Sequence, residues 1–194
     1  MRQFFQTLLT KGCQMTVLLL LKHSLLNFTI MSATATLAEQ AIITSEELLQ
    51  NWQGHRGLTR KVIEAFPEKE LFEFSIGGMR PMAELAKEML AMAAPGLKQI
   101  VTGIQKDYDE KSAAVTTKEQ LLEAWDEATE QINVYWAQIP EKRFRETINL
   151  FGQYNFPVIV NITYVLDNEV HHRGQSYVYL RALGIEPPAF YDRW

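Results

Sequence analysis

The sequence predicts an all-α fold: a four-helix bundle with a long final helix and a short irregular or strand-like segment before it. Three observations predict it. Apolar residues recur at spacings of three and four in four separate stretches. Capping residues and prolines punctuate the gaps between those stretches, and almost no run alternates with the period of two that a half-buried strand requires. With 194 residues, 47% of them hydrophobic, the chain can bury one substantial core and is short for two.

The first helix opens at Thr44-Ser45-Glu46-Glu47, where Thr44 and Glu47 have capping-box spacing. It carries the stripe Leu48, Trp52, His55, Thr59, Val62 and Phe66 and stops before Pro67. A loop containing Gly77-Gly78 follows. Pro81 suits the first turn of a second helix with the stripe Leu85, Glu88 or Met89, and Met92. Pro95-Gly96 is expected to kink or interrupt that helix before it continues toward Gln105, because an interior proline removes a backbone hydrogen bond. The third helix begins near Thr116-Thr117, with Thr117 and Gln120 again at capping spacing, and carries Leu122, Trp125, Thr129, Ile132, Trp136 and Ile139 up to Pro140. Between Arg143 and Phe156 the pattern is extended and aromatic, with Gly152 in its middle, and reads as a loop or a short strand pair. Pro157 starts the longest helix, which runs to Leu183 with Gly184 as its stop.

Residues 1–38 stand outside this fold as a leader or extension, leaving 39–194 as the single domain. Arg2 and Lys11 precede the apolar run Met15–Leu21, and Ala33-Thr34-Ala35 has the form of a cleavage site, which is one reading of the segment as a secretory signal. The other reading makes Met31 the initiator and places the protein in the cytoplasm. Lys22 and His23 cut the apolar run to about a third of the ~20 residues that span a bilayer, so no membrane segment is predicted. A formal net charge of −4 without a basic stripe argues against nucleic acid as a partner. The single Cys13 excludes an internal disulfide and a cysteine-based zinc site.

The inward stripe of the last helix is Val158, Ile162, Val165, Glu169, His172, Ser176, Tyr179 and Leu183, and its middle is polar. Asn168 lies four residues before His172 and Glu169 three before it, so either can share a face with the imidazole. Glu169-x-x-His172 also has the ligand pairing of metal-binding bundles. His55 and Thr59 interrupt the first helix at mid-height, Glu88 falls between Leu85 and Met92 on the second, and the third offers only Thr129. Taken singly these are ordinary structural positions: a satisfied core histidine, a carboxylate at the edge of its stripe, a histidine covering the end of the bundle. Taken together they differ, because an unpaired imidazole or carboxylate in a dry core costs several kcal/mol. Inward-facing groups must therefore bind one another, a water or a cation, and a divalent metal is the simplest answer.

The run His171-His172-Arg173-Gly174-Gln175, followed by Tyr179-Leu180-Arg181-Ala182-Leu183-Gly184 and Pro187-Pro188, resembles the signature of the DinB-like (YfiT-related) metal-binding four-helix bundles. Trp52 and Thr59 on the first helix and Arg80-Pro81-Met82-Ala83-Glu84-Leu85 at the start of the second extend the resemblance over roughly residues 40–194. It implies a divalent metal held by three histidines, one on the second helix and two on the last. Those positions are Glu88, Asn168 and His172 here, so only His172 keeps the residue type. Exchanging two imidazoles for a carboxylate and an amide makes the set harder, moving its preference from zinc toward manganese, iron or nickel, or weakening binding. Glu169 in place of Asn168, and His55 as a second imidazole, form an alternative set.

The resemblance further implies a metal-dependent hydrolase or low-molecular-weight thiol transferase acting on a small molecule. In that reading Glu169 is a ligand or general base and His55 binds substrate or metal, while Arg173 and Gln175 serve as supports. The competing expectation is a non-catalytic, stress-associated bundle with a degenerate site. The family's damage-inducible label concerns expression and does not imply DNA contact. Aromatic residues near Phe190, Tyr191 and Trp194 make a homodimer the expected assembly.

Overall fold

The computed structural model describes residues 42–105 and 115–194. The leader reading of residues 1–38 lies outside them. Ser45–Trp194 form one compact unit. Its elements are α1 (Ser45–Ala65), α2 (Glu68–Glu73), α3 (Met82–Thr102), α4 (Lys118–Trp136), a 3-10 turn (Glu141–Arg145), β1 (Thr147–Leu150), β2 (Tyr154–Pro157) and α5 (Val158–Ala182). α1 packs on α4 and α5, and α3 packs on the same two. The four long helices therefore close a bundle in which α1 and α3 occupy opposite corners. β1 and β2 pair antiparallel from Thr147↔Pro157 to Leu150↔Tyr154, which is the strand pair anticipated before the last helix.

Local chemistry accounts for the boundaries. Thr117 caps α4 with a complete capping box: its side chain accepts from the Gln120 amide, and the Gln120 side chain accepts from the Thr117 amide. Gly103, in the left-handed region at φ 70°, ends α3. α2 is an element the sequence reading did not separate from the loop after Pro67. Glu68, Lys69 and Glu70 are good helix formers, and the turn is anchored by the buried Leu71.

Pro95 does not interrupt α3, contrary to expectation: the helix is continuous through it. The proline lies on the exposed side, while Ala93, Ala94, Gly96 and Leu97 are buried around it. Burying several apolar side chains at roughly 1.5–3 kcal/mol for each large one outweighs the loss of one backbone bond. Gly96 also leaves room for the Phe151 ring of the hairpin, which a Cβ there would meet at 3.4 Å.

The core divides into two apolar halves. Trp52, Met92, Leu97, Ile132, Trp136 and Val165 belong to one, and Val62, Phe66, Met82, Leu121, Trp125 and Tyr179 to the other. On α1 and α5 a polar layer separates them, made of His55, Arg56, Thr59, Glu169, His172, Arg173 and Ser176, all buried. No helix among the described residues is long and apolar enough to cross a membrane.

Candidate functional site

The polar layer of α5 faces two ways. Asn168 and His172, one turn apart, look toward α3; Glu169 and Arg173, also one turn apart, look toward α1. A four-residue step advances 400°, so each pair stays on one face while adjacent residues diverge by about 100°.

On the α3 side the structure brings together Glu88, Asn168 and His172. Asn168 Nδ2 donates to Glu88 Oε1 at 2.8 Å and stands 3.1 Å from His172 Nε2, and His172 Nε2 is 3.1 Å from Glu88 Oε1. The two charged or chargeable side chains are 9% and 14% exposed, so the triangle is shielded yet reachable. Arg80, just ahead of α3, donates to the other carboxylate oxygen, Glu88 Oε2. Burial pushes the Glu88 carboxyl up, but the hydrogen bonds from its partners, led by Arg80 and Asn168, outweigh it and hold the group below its ordinary value.

Gln175 decides the proton on His172. Its amide Nε2 faces His171 Nε2 at 3.2 Å, and its Oε1 accepts from His172 Nδ1 at 3.0 Å. With the proton on Nδ1, Nε2 carries a lone pair directed at a carboxylate oxygen. Two acceptors thus converge, and close beside them Asn168 Oδ1 is buried with no hydrogen-bond partner.

On the α1 side lies a second cluster. Glu169 accepts from Thr59 Oγ1 at 2.7 Å and from Trp52 Nε1 at 3.3 Å, and it stands 3.6 Å from Arg56 and 4.0 Å from Arg173. Arg56 is fully buried: Nε donates to Thr129 Oγ1 and Nη2 to the Trp125 carbonyl, with the guanidinium stacked 3.4 Å over the Trp125 ring. Burial pulls Arg56 down to about 10 against the opposing pull of Glu169, which leaves it charged at neutral pH. Arg173 donates to the His55 carbonyl, Thr59 Oγ1 and His55 Nδ1.

Glu88, Asn168 and His172 therefore meet as one group, while Glu169 and His55 belong to the other. The alternative set of Glu169 and His55 around His172 is not the one the helices assemble. His55 Nδ1 is occupied by Arg173, and both Glu169 oxygens are taken by donors on α1. His171, about 100° round the helix from His172, is exposed. Among the described residues no three His, Cys, Asp or Glu side chains gather as a metal cluster, because the third corner here is an amide. Arg56 and Arg80 were missed. Arg56 stands four residues after Trp52 and three before Thr59, so the spacing already placed it on the inward face.

A helical bundle with a carboxylate, amide and imidazole triangle between its third and last helices defines a class of protein. Comparison with known families identifies it: the DinB family matches residues 31–194, and the chain belongs to that family. The match begins ahead of the boundary at 39 drawn from the sequence. Two solved structures share the fold. One is a DinB-like protein from Bacillus cereus ATCC 10987, with a TM-score of 0.62 and 16% identity over 74% of this chain and 95% of that one. The other is a DinB-like protein from Bacillus subtilis, with a TM-score of 0.60 and 19% identity over 74% of this chain and 97% of that one. No curated protein matches the chain.

Proposed function

We propose that this DinB-family protein binds a divalent metal through Glu88, Asn168 and His172 and acts on a small molecule, as a hydrolase or a low-molecular-weight thiol transferase. The observation that carries the proposal is the convergence of the His172 Nε2 lone pair and Glu88 Oε1 beside the unpartnered Asn168 Oδ1. Two acceptors 3.1 Å apart repel unless a donor or a cation lies between them, and in this reading a cation takes the place of the Asn168 amide hydrogens that otherwise bridge them. The contacts of 2.8, 3.1 and 3.1 Å also suit an ion: neighbouring ligands at about 2.1 Å from an octahedral centre are about 3 Å apart. Rotating the Asn168 amide by half a turn exchanges Nδ2 for Oδ1 and gives three acceptors on one face.

In this reading His172 supplies the imidazole, Glu88 one carboxylate oxygen, and Asn168 the amide oxygen. Arg80 keeps the second Glu88 oxygen occupied, and Gln175 holds the His172 tautomer. One nitrogen and two oxygens favour manganese, iron or nickel over zinc. When bound, such an ion supplies Lewis acidity to a water, carbonyl or thiol at the positions the protein leaves open. The position of Glu169 argues for a supporting role: it fastens α5 to α1 and leaves proton transfer to groups on the α3 side.

A second reading has its own observation. The Asn168 amide donates one hydrogen to Glu88 Oε1 and the other to His172 Nε2, which bridges them without an ion and completes a metal-free hydrogen-bonded network in a non-catalytic bundle. Elemental analysis of protein purified without added metal separates the two. The metal reading predicts about one divalent ion per chain, lost in His172→Ala. It also predicts a lower melting midpoint in chelator, whereas the network predicts no change. A homodimer covering Phe190 and Tyr191, which are 67% and 75% exposed, belongs to the same proposal and is checked by the mass in solution.

A further inference from the structure

The segment Asp192–Trp194 lies back across α1. Lys61 Nζ binds the Asp192 carbonyl and carboxylate, both at 3.1 Å. The Arg193 backbone crosses Gly57, and the Trp194 ring crosses Gly54; a Cβ at either glycine would come within 3.1 Å. This path brings the half-buried Arg193 side chain to His55. Arg193 Nη1 donates to Asn51 Oδ1 at 3.2 Å and stands 3.4 Å from His55 Nε2.

The second contact cannot be a hydrogen bond. Arg173 Nη2 is 2.8 Å from His55 Nδ1, and a guanidinium only donates, so Nδ1 must be the acceptor. The neutral imidazole then carries its proton on Nε2, the atom that faces Arg193. Two donors confront each other. His55 is 94% buried (6% exposed), and among the described residues its Nε2 has no other hydrogen-bond partner. The surrounding charge points the same way. Glu169 is the only carboxylate among the described residues within salt-bridge reach of Arg56, Arg173 or Arg193, and it serves the first two. Positive charge is therefore in excess where the donors meet.

We infer that His55, Arg193 and Arg173 form an oxyanion site between α1 and the Asp192–Trp194 strap, taking the carboxylate or phosphate group of a small molecule. One oxygen accepts from His55 Nε2–H and another from the Arg193 guanidinium, turning a donor–donor contact into two charge-assisted or charge-adjacent hydrogen bonds. Arg173 is a positioning residue. By donating to Nδ1 it fixes the tautomer, and through the ring it strengthens Nε2–H as a donor. The site is separate from the Glu88–Asn168–His172 triangle, and the inference does not rest on the metal reading.

The test titrates the full-length protein with acetate and, separately, with inorganic phosphate, each against chloride at equal ionic strength. At least one anion is expected to raise the melting midpoint by about 3 °C or more near tenfold saturation. The same anion is expected to move the His55 Nε2–H signal in nitrogen-edited NMR spectra. Arg193→Gln, at a half-exposed position, should keep the fold and lose the response, and Arg193→Lys should recover part of it. A response to acetate alone assigns a carboxylate, and one to phosphate alone assigns a phosphate. No response to either, an undiminished response in Arg193→Gln, or a His55 proton found on Nδ1 would overturn the inference.

Discussion

Arg56 and Glu169 face each other at 3.6 Å with their side chains 0% and 2% exposed, a buried ion pair that ties the first helix of the bundle to the last. Such a pair contributes less than its Coulomb energy suggests, because both charges were taken out of water, but removing one partner leaves the other stranded. Glu169→Ala is therefore expected to destabilise the fold by about 3–5 kcal/mol in chemical denaturation. The double variant Arg56→Met, Glu169→Leu should recover most of that loss. Equal losses in the single and the double variant would show that the pair itself, and not the stranded guanidinium, carries the effect.

His55 gives stability a pH dependence of known sign. Burial, with Arg173 and Arg193 facing the ring from α5 and from the strap, lowers it from 6.5 to about 4. The unfolded chain then takes up its proton first, so this contribution is complete above about pH 6.5 and is lost as pH falls toward 4. The size is on the order of 2 kcal/mol. Unfolding free energies of wild type and His55→Gln should converge across that window; parallel curves would contradict the assignment. Glu88, held below its ordinary value, loses its contribution only at lower pH, which keeps the two effects apart.

The Gln175 contact with His172 Nδ1 predicts a supporting effect on metal binding. Gln175→Leu should weaken divalent-ion affinity about 10–100-fold by releasing the tautomer, as loss of such outer partners does elsewhere. His171→Ala, which removes an exposed ring that meets the far side of the same amide and lies 5.2 Å from the His172 ring without binding its nitrogens, should change it little. Calorimetric titration with manganese compares the two.

Asn168→Asp changes sign with conditions. In chelator it places a third acceptor, now charged, beside Glu88 and the Nε2 lone pair, and should lower the melting midpoint by several degrees. With manganese added it should raise the midpoint above that of wild type. A variant less stable than wild type in both conditions would argue for the metal-free network.

How much of this was legible in the sequence follows from what each signal encodes. The stripe from Val158 through Tyr179 was readable because helical periodicity and burial are the same fact seen twice, and every one of those seven positions on α5 that lie in the stripe is buried. The triangle was half legible. Spacing put Asn168 and Glu169 equally near His172, and the resemblance to DinB-like proteins, not the geometry, favoured Asn168. Which one meets Glu88 depends on the rotation of α5 against α3, a tertiary quantity. Arg56 escaped because a stripe traced through apolar side chains passes over arginine, which is seldom fully buried. The donor–donor contact at His55 was beyond reach, since it needs a strap more than a hundred residues away in sequence to return to α1.

The central claim is that His172 and Glu88 converge on a divalent ion. Electron spin-echo spectroscopy of the manganese-loaded protein tests it most directly, because the modulation reports nitrogen bonded to the ion. The account predicts one bound manganese per chain with coupling to a single imidazole nitrogen, and loss of that coupling in His172→Ala. Manganese bound without any imidazole coupling, or coupling that persists in His172→Ala, would contradict it.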